Sequence, residues 1–195
     1  MKIGILFLGS LLFLVACQSS TGTTNSTKGV AVVKPVEKGE REFQAYLDRK
    51  RAQIKGKKAP DIDLKTIGGK RFNPSNMKGK IVLLNFWFAA CKPCITEIPS
   101  LNELQQKYKS KNVVVISIST DQQAVAEKLA KEKKMRYAVV AGGKSIASQM
   151  KVSTFPTSFL IDKEGIIQDV FMGASSFDAT YTYTEIKPHI ERLLN

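Results

Sequence analysis

The sequence lacks several features that would assign it to a common structural class. No apolar run reaches the ~18–20 residues that a membrane-spanning helix requires. Its three cysteines are too few for a small scaffold held together by disulfides. No segment of roughly 20–50 residues recurs, which excludes solenoids and propellers. The chain is therefore expected to fold around an ordinary hydrophobic core.

Acidic residues are also scarce, with 17 against 30 basic residues and a formal net charge of +13. Such an excess occurs in proteins that bind nucleic acid or anionic lipid. The lysines are scattered, however, and no basic stripe with interleaved aromatic residues is present. We therefore expect a lysine-rich surface and no nucleic-acid partner. The apolar content of 43% is close to the globular norm of about 45–50% and excludes a disordered chain.

The N-terminus is predicted to be a lipoprotein signal peptide that comprises residues 1–16. Lys2 precedes a run of apolar and small residues, Ile3 to Ala16, which is too short to span a bilayer. The run ends in Leu14-Val15-Ala16-Cys17, which resembles the lipobox where bacterial lipoproteins are cleaved before a lipid-modified cysteine. Cys17 is therefore the expected lipidation site. An ordinary secretory signal with an incidental cysteine is the alternative.

Two segments precede the main domain. Residues 17–39 are predicted to be a flexible tether, because the stretch from Gln18 to Thr27 is small and polar. Residues 40–55 are predicted to form an amphipathic helix, either packed on the domain or exposed as a recognition helix for a partner. Its apolar residues recur at helical spacing and are Phe43, Tyr46, Leu47 and Ile54.

Residues 56–195 alternate between strand and helix patterns, so we predict an α/β domain with a mixed central sheet flanked by helices. The domain begins with a β-hairpin over Pro60–Phe72, whose turn is Gly68-Gly69. The almost continuously apolar run Ile81–Phe88 predicts a central strand buried on both faces. Further strands are predicted over 113–118, 137–140, 157–161 and 166–172, and helices over 94–107, 124–134, 146–150 and 184–194.

Cys91 and Cys94 form a Cys-x-x-Cys motif between a buried strand and a helix. The first cysteine lies at the helix N-terminus, where free N–H groups and the helix dipole favour a thiolate. Thiols in that position have pKa values lowered from ~8.5 to about 3.5–7.5. Pro93 suits the first helical turn, where an N–H would lack an acceptor. We predict that Cys91 is the exposed attacking thiol and Cys94 the buried resolving thiol.

Two other readings of the cysteine pair remain. The motif could be half of a zinc site, but only His189 and the lipidated Cys17 would remain to complete four ligands. It could also be a purely structural disulfide, although closing so small a loop constrains the unfolded chain little. No metal is expected, and no cofactor besides the redox-active disulfide itself.

Four stretches of the domain carry a family resemblance: Gly56–Ile62, Leu83–Trp87, the motif Cys91–Cys94 and Thr154–Asp162. Together and in this order they resemble the TlpA/ResA-like thiol–disulfide oxidoreductases, which are lipoproteins or membrane-anchored proteins. The resemblance implies a thioredoxin-like fold. It also implies an extra helix-bearing insert within Asp121–Lys144, because more residues separate Cys94 from Pro156 than separate the matching positions of plain thioredoxin.

The resemblance also implies a substrate-binding surface. The proline that matches Pro156 has a cis peptide bond in this family, so the Phe155–Pro156 bond is expected to be cis. The backbone of Phe155 would then pair with an extended substrate. A trans proline that ends the sheet edge is the alternative. The expected substrate contacts are Trp87, Lys92, Pro93, Phe155 and Pro156.

A carboxylate beside the motif is the third expected catalytic group. Thioredoxin has a buried aspartate where Asn85 stands, and an amide cannot carry the resolving thiol's proton. Glu97 lies three residues after Cys94 and matches a ResA-like glutamate that lies near the resolving cysteine. We expect it to be half-buried, with a raised pKa, and to act as a base. A solvated helix residue is the alternative. Pro99 is expected to kink the helix.

These features predict a thiol–disulfide oxidoreductase of the cell envelope that more readily reduces than oxidises client disulfides. By resemblance, the clients are envelope proteins such as apocytochrome c, and the electron donor is a membrane reductase of the DsbD or CcdA type. A peroxidase of the AhpC/TSA type is an alternative. In those enzymes a threonine precedes the reactive cysteine by three positions, where this chain has Phe88. A non-catalytic binding lipoprotein is the other alternative.

The expected location is the envelope, with the domain facing the periplasm and anchored through lipid on Cys17. Gln18 follows the cysteine, and the absence of aspartate there favours the outer membrane where the organism has one. The protein is expected to be a monomer.

Overall fold

The computed structural model describes residues 35–195. The predicted signal peptide 1–16, the lipidation site Cys17 and most of the predicted tether lie outside these residues. No helix among the described residues combines the length and the apolar character needed to cross a membrane.

The helices are α1 Pro35–Ile54, α2 Lys92–Thr96, α3 Ile98–Tyr108, α4 Gln123–Glu132, α5 Lys144–Gln149 and α6 Tyr181–Leu194. The strands are β1 Leu64–Lys65, β2 Arg71–Phe72, β3 Ile81–Trp87, β4 Val113–Ser119, β5 Ala138–Val140, β6 Thr157–Ile161 and β7 Ile167–Met172.

Five strands form the central sheet in the order β5-β4-β3-β6-β7. Strands β3, β4 and β5 are parallel and connected through helices. Strand β6 runs antiparallel to β3, and β7 runs antiparallel to β6. The first two strands form a separate antiparallel pair in which Leu64 faces Phe72. The predicted α/β class, mixed sheet and N-terminal hairpin are confirmed, although each hairpin strand has only two residues.

Strand β3 is buried along its whole length because it lies at the centre of the sheet. Its side chains alternate between two cores, as the strand period of two requires. Leu83 packs with α3 and α6 on one face, and Leu84 packs with α5 and the N-terminal segment on the other. The continuous apolar run therefore reflects helices on both faces.

Helix α1 begins at Pro35 rather than at residue 40, so the predicted boundary between tether and helix is wrong. A proline suits the first helical position because its missing N–H would have no acceptor there. Leu47 and Ile54 are buried against the domain, so the helix packs on it as predicted. Phe43, expected on the same apolar face, is instead 54% exposed.

The predicted single helix 94–107 is divided at Glu97 into α2 and α3. Pro99 is the cause, because it has no N–H to donate to the carbonyl of Ile95 one turn earlier. The predicted insert within Asp121–Lys144 contains α4 and β5, and β5 extends the sheet beside β4. The divided helix places Cys91, Cys94 and Glu97 after the end of β3, and the insert begins at Asp121, after the end of β4.

Candidate active site

Cys91 and Cys94 form a disulfide at the start of α2, directly after the central strand β3. Cys91 is the N-cap of the helix, and its Sγ accepts a hydrogen bond from the backbone N–H of Cys94 at 3.3 Å. Lys92 and Pro93 occupy the first helical positions, where the missing N–H of Pro93 is tolerated. The predicted placement of the motif at a helix N-terminus is confirmed.

Both cysteines are buried in the disulfide form. Cys91 is 6% exposed and Cys94 is 2% exposed, so the expectation of a freely exposed Cys91 does not hold in this redox state. Lys92, between them, is exposed and Pro93 is half-buried. The order of accessibility still follows the prediction, because Cys91 retains more accessible surface than Cys94.

Trp87 does not lie on the surface that a substrate could touch. It is 2% exposed and packs with both cysteines, Ala126 and Val139 beneath the motif. Its indole Nε1 has no hydrogen-bond partner among the described residues. The predicted substrate contact at Trp87 is therefore wrong for this form of the protein. The sequence did not show which face of β3 the indole occupies, since both faces are buried.

The Phe155–Pro156 peptide bond is cis, as the resemblance predicts. Pro156 is buried and Phe155 is half-buried, and the ring of Phe155 packs edge to face on Phe88 with centroids 5.2 Å apart. Among the described residues, no backbone hydrogen bond engages the N–H or carbonyl of Phe155. An extended chain could therefore pair with this residue.

Glu97 is fully buried, with only 3% of its surface exposed, which is deeper than the predicted half-buried position. Asn85 Nδ2 donates to Glu97 Oε1 at 2.8 Å, and Thr182 Oγ1 donates to Glu97 Oε2 at 2.9 Å. The same amide group of Asn85 donates to Ser158 Oγ at 3.0 Å. Asn85 therefore orients the carboxylate from the centre of the sheet.

Burial raises the pKa of Glu97 to about 7, and the hydrogen bonds from Asn85 and Thr182 oppose that rise. The carboxyl group can therefore exist in either protonation state near neutral pH. Desolvation raises the pKa of the half-buried Tyr137 well above its usual value, and the charge of Glu97 adds to that rise. Glu97, Pro156, Ser158 and Thr182 border a cavity of about 50 Å³, large enough for a small number of waters.

Asp121 organises the loop before Cys91 and was not recognised from the sequence. Its Oδ2 accepts hydrogen bonds from the backbone N–H of Ala89 at 2.7 Å and from Ser119 Oγ at 2.9 Å. Its carbonyl accepts from Gly142 N–H at 2.7 Å. Asp121 thus connects the loops that follow β3, β4 and β5. An aspartate two residues after the end of a buried strand was the available signal.

The described residues contain no group of three or more His, Cys, Asp or Glu side chains that could hold a metal ion. The site instead combines a dithiol–disulfide pair, a cis proline and a buried carboxylate that titrates near neutral pH. Such a pair can exchange two electrons with another disulfide through a mixed disulfide. The carboxylate can accept or return a proton during that exchange.

The comparisons with known proteins converge on this chemistry. A family model described as AhpC/TSA family matches residues 55–170. A thiol–disulfide oxidoreductase ResA from Bacillus cereus is 36% identical over 142 residues, which are 72% of this chain and 82% of that protein. The thioredoxin-like protein YneN from Bacillus subtilis (strain 168) is 34% identical over 138 residues, 67% of this chain and 79% of its own length.

A solved structure gives the same fold. The crystal structure of a candidate thiol:disulfide interchange protein DsbE from Chlorobium tepidum matches with a TM-score of 0.66 and 29% identity. The match covers 72% of this chain and 98% of that one. The thioredoxin-like fold expected from the sequence is confirmed.

Proposed function

Because this chain belongs to the AhpC/TSA family and, within it, to the ResA-like thiol–disulfide oxidoreductases, we propose that it reduces disulfides of client proteins in the cell envelope. One observation carries the proposal: the Cys91–Cys94 disulfide at the N-cap of α2. In this position the thiolate that forms on reduction is stabilised by the helix N-terminus, where the Cys94 N–H donates to Cys91 Sγ.

The reduced pair acts in two steps that conserve atoms and electrons. The Cys91 thiolate attacks one sulfur of the client disulfide, so that a mixed disulfide forms and the client's other sulfur leaves as a thiolate and takes up a proton. Cys94 then loses its proton and attacks Cys91 Sγ, which restores the Cys91–Cys94 disulfide and releases the second client sulfur as a thiolate that takes up a proton. The client gains two electrons, and this protein loses two.

Glu97 accepts the proton that Cys94 loses in the second step. Its pKa of about 7 makes it a base of suitable strength at neutral pH, and it lies three residues after Cys94. Asn85 and Thr182 hold the carboxylate in position through their hydrogen bonds. The amide of Asn85 cannot itself carry the proton, so its role is to position Glu97.

The backbone of Phe155 offers the client an edge for pairing. Its N–H and carbonyl have no backbone partner in the described part of the chain. Exposed Lys92 and half-buried Pro93 complete the contact surface around Cys91. A client held as an extended strand would present its disulfide directly to the attacking sulfur.

We assign the clients to envelope proteins with unwanted disulfides, including apocytochrome c, and the electron donor to a membrane thiol reductase of the DsbD or CcdA type. Both assignments rest on the ResA-like resemblance. Lipid on Cys17 would anchor the monomeric protein to the membrane, with the domain facing the periplasm, and Gln18 favours the outer membrane where one exists. The direction of reduction follows from Pro93, which reducing thioredoxins share.

The second candidate activity is thiol peroxidase, because the matching family model is described as AhpC/TSA family and the chain resembles AhpC/TSA-type peroxidases in its scaffold. Phe88 stands where those enzymes place a threonine, and its ring packs on Phe155. An aromatic side chain offers no hydroxyl to a bound peroxide. The site therefore favours disulfide reduction.

A paired assay separates the two activities. Purified protein is compared in insulin-disulfide reduction with dithiothreitol as donor and in hydrogen peroxide consumption with the same donor. The proposal predicts acceleration of insulin reduction that is lost in Cys91→Ser, with peroxide consumption at the background rate. Rapid peroxide turnover with no insulin reduction would replace the proposal by the peroxidase. Inactivity in both assays would leave a binding lipoprotein.

A further inference from the structure

Phe177 is 91% exposed, far more than any other large apolar side chain in the described part of the chain. It lies in the connection between β7 and α6. Single exposed apolar residues are common and by themselves indicate no binding site. The surroundings of Phe177 distinguish it from such residues.

The loop that carries Phe177 has a fixed backbone. Ser175 Oγ accepts hydrogen bonds from the N–H groups of Phe177 at 3.2 Å and Asp178 at 2.9 Å. Asp178 Oδ1 in turn accepts from the N–H of Thr180 at 2.8 Å and from its hydroxyl at 2.7 Å. The aromatic ring is therefore presented on a pre-organised turn, which lowers the entropy lost when a partner contacts it.

The same loop is connected to the helices that carry the redox motif. The hydroxyl of Thr96, at the end of α2, is within hydrogen-bond distance of two carbonyls, that of Lys92 at 3.1 Å and that of Ser176 at 3.3 Å, and shares its one proton between them. Ser100, in the first turn of α3, donates from its hydroxyl to the carbonyl of Ala179. These contacts fix the position of the loop relative to the cysteine pair.

The Phe177 ring lies beside the ammonium group of the residue that follows the attacking cysteine. Lys92 Nζ is 4.8 Å from the ring centroid, and Lys92 directly follows Cys91 in α2. A polypeptide joined to Cys91 Sγ through a mixed disulfide therefore has its neighbouring residues close to Lys92 and Phe177.

The charge of Lys92 is available to such a polypeptide. Lys92 is exposed and forms no ion pair with any carboxylate in the described part of the chain. The carboxylate of Asp178, the residue after Phe177, accepts hydrogen bonds from Thr180 instead. An aromatic ring and an uncompensated cation thus lie together next to Cys91.

We propose that Phe177 and Lys92 form a client-selecting surface that favours disulfides flanked by an aromatic residue and a carboxylate. This inference rests on the proposed reduction of client disulfides. The client's aromatic side chain packs against the Phe177 ring, and its carboxylate pairs with Lys92 Nζ. Selection takes place while the client approaches Cys91 and in the mixed disulfide.

The test uses the reduced full-length protein and two synthetic peptides that each contain one intramolecular disulfide. One peptide has phenylalanine and glutamate beside its cysteines, and the other has serine and glutamine. The second-order rate constant of peptide reduction is measured for wild type, Phe177→Ser and Lys92→Gln. Phe43→Ser is the matched control, because Phe43 is also exposed but lies on α1.

We expect wild type and Phe43→Ser to prefer the first peptide by ~3- to 10-fold, the factor that one aromatic contact supplies. Phe177→Ser should lose most of this preference. Lys92→Gln should lose the electrostatic part of this preference, which added salt should also reduce in wild type. Equal rates for both peptides in wild type, or an unchanged preference in Phe177→Ser, would overturn this inference and leave the reductase function intact.

Two further outcomes separate the explanations. If the wild-type protein reduces neither peptide, the proposed function itself fails. Sedimentation of wild type and Phe177→Ser at several concentrations tests a second copy of the chain as the occupant. A dimer that Phe177→Ser abolishes would assign the ring to self-association and overturn the client-selecting role.

Discussion

Replacing Glu97 by glutamine should change how the stability of the oxidised protein depends on pH. Burial raises the pKa of Glu97 from its ordinary 4.5 to about 7, so the folded protein keeps this proton at pH values where the unfolded chain has lost it. Between pH 4.5 and 7 the native state therefore binds more protons than the unfolded state, and its stability falls as pH rises through this window.

The magnitude follows from the difference between the two pKa values. At about 1.4 kcal/mol per pKa unit, the folded protein loses ~3 kcal/mol of unfolding free energy across the window through this one group. Glutamine does not titrate, and it keeps both hydrogen bonds if the Thr182 hydroxyl reverses its direction. Glu97→Gln should therefore gain ~3 kcal/mol relative to wild type between about pH 4.5 and about pH 8.

Urea unfolding of the oxidised proteins at several pH values in this range measures the effect. The intact disulfide keeps the cysteines from titrating, and every other group contributes equally to wild type and variant. Glu103→Gln, the same substitution at an exposed residue on α3, is the matched control for the loss of one carboxylate. A constant difference between Glu97→Gln and wild type across the window would refute the raised pKa and the role of Glu97 as a base.

Three further changes test other parts of the account. In the reduced protein, Cys91 should be alkylated faster than Cys94 near neutral pH, and equal alkylation rates would contradict the assigned roles. Cys94→Ala should accumulate mixed disulfides with clients, which are detected on non-reducing gels. Asp121→Ala should lower the urea-unfolding free energy by about 1–3 kcal/mol because the Ala89 N–H loses its acceptor. Asp121→Asn, which keeps an acceptor oxygen, should lose less. Cys17→Ser should release the protein into the aqueous phase of a detergent partition experiment or leave it as the unprocessed precursor, and a wild-type protein found in the aqueous phase would exclude the lipid anchor.

The sequence was most informative where the determinants are local. The spacing of Cys91 and Cys94 before an apolar helix stripe predicted the N-cap position, since helix capping involves residues a few positions apart. The continuous apolar run in β3 predicted a strand buried on both faces, because this signal also lies within a few consecutive residues. The predicted ends of helices were less accurate than the predicted strands. Helix α1 begins at Pro35, because proline is favoured at the first position of a helix.

The parts that the sequence did not reveal depend on contacts between distant residues. The depth of Glu97 depends on Thr182, which is 85 positions away, and the loop before Cys91 depends on Asp121, which is 32 positions from Ala89. The position of Trp87 depends on which face of a doubly buried strand it occupies, and an apolar run carries no period that would decide this. Such features follow only once the sheet order is known.

Whether Cys91 and Cys94 exchange electrons with clients as a reductant is tested most directly by an equilibrium redox titration. The protein is equilibrated in mixtures of reduced and oxidised dithiothreitol, and the remaining thiols are alkylated and counted. We predict one two-electron transition at or below about −230 mV, closer to thioredoxin at ~−270 mV than to DsbA at ~−120 mV. A transition above about −150 mV would identify an oxidant, and the absence of any transition would contradict a redox role for the pair.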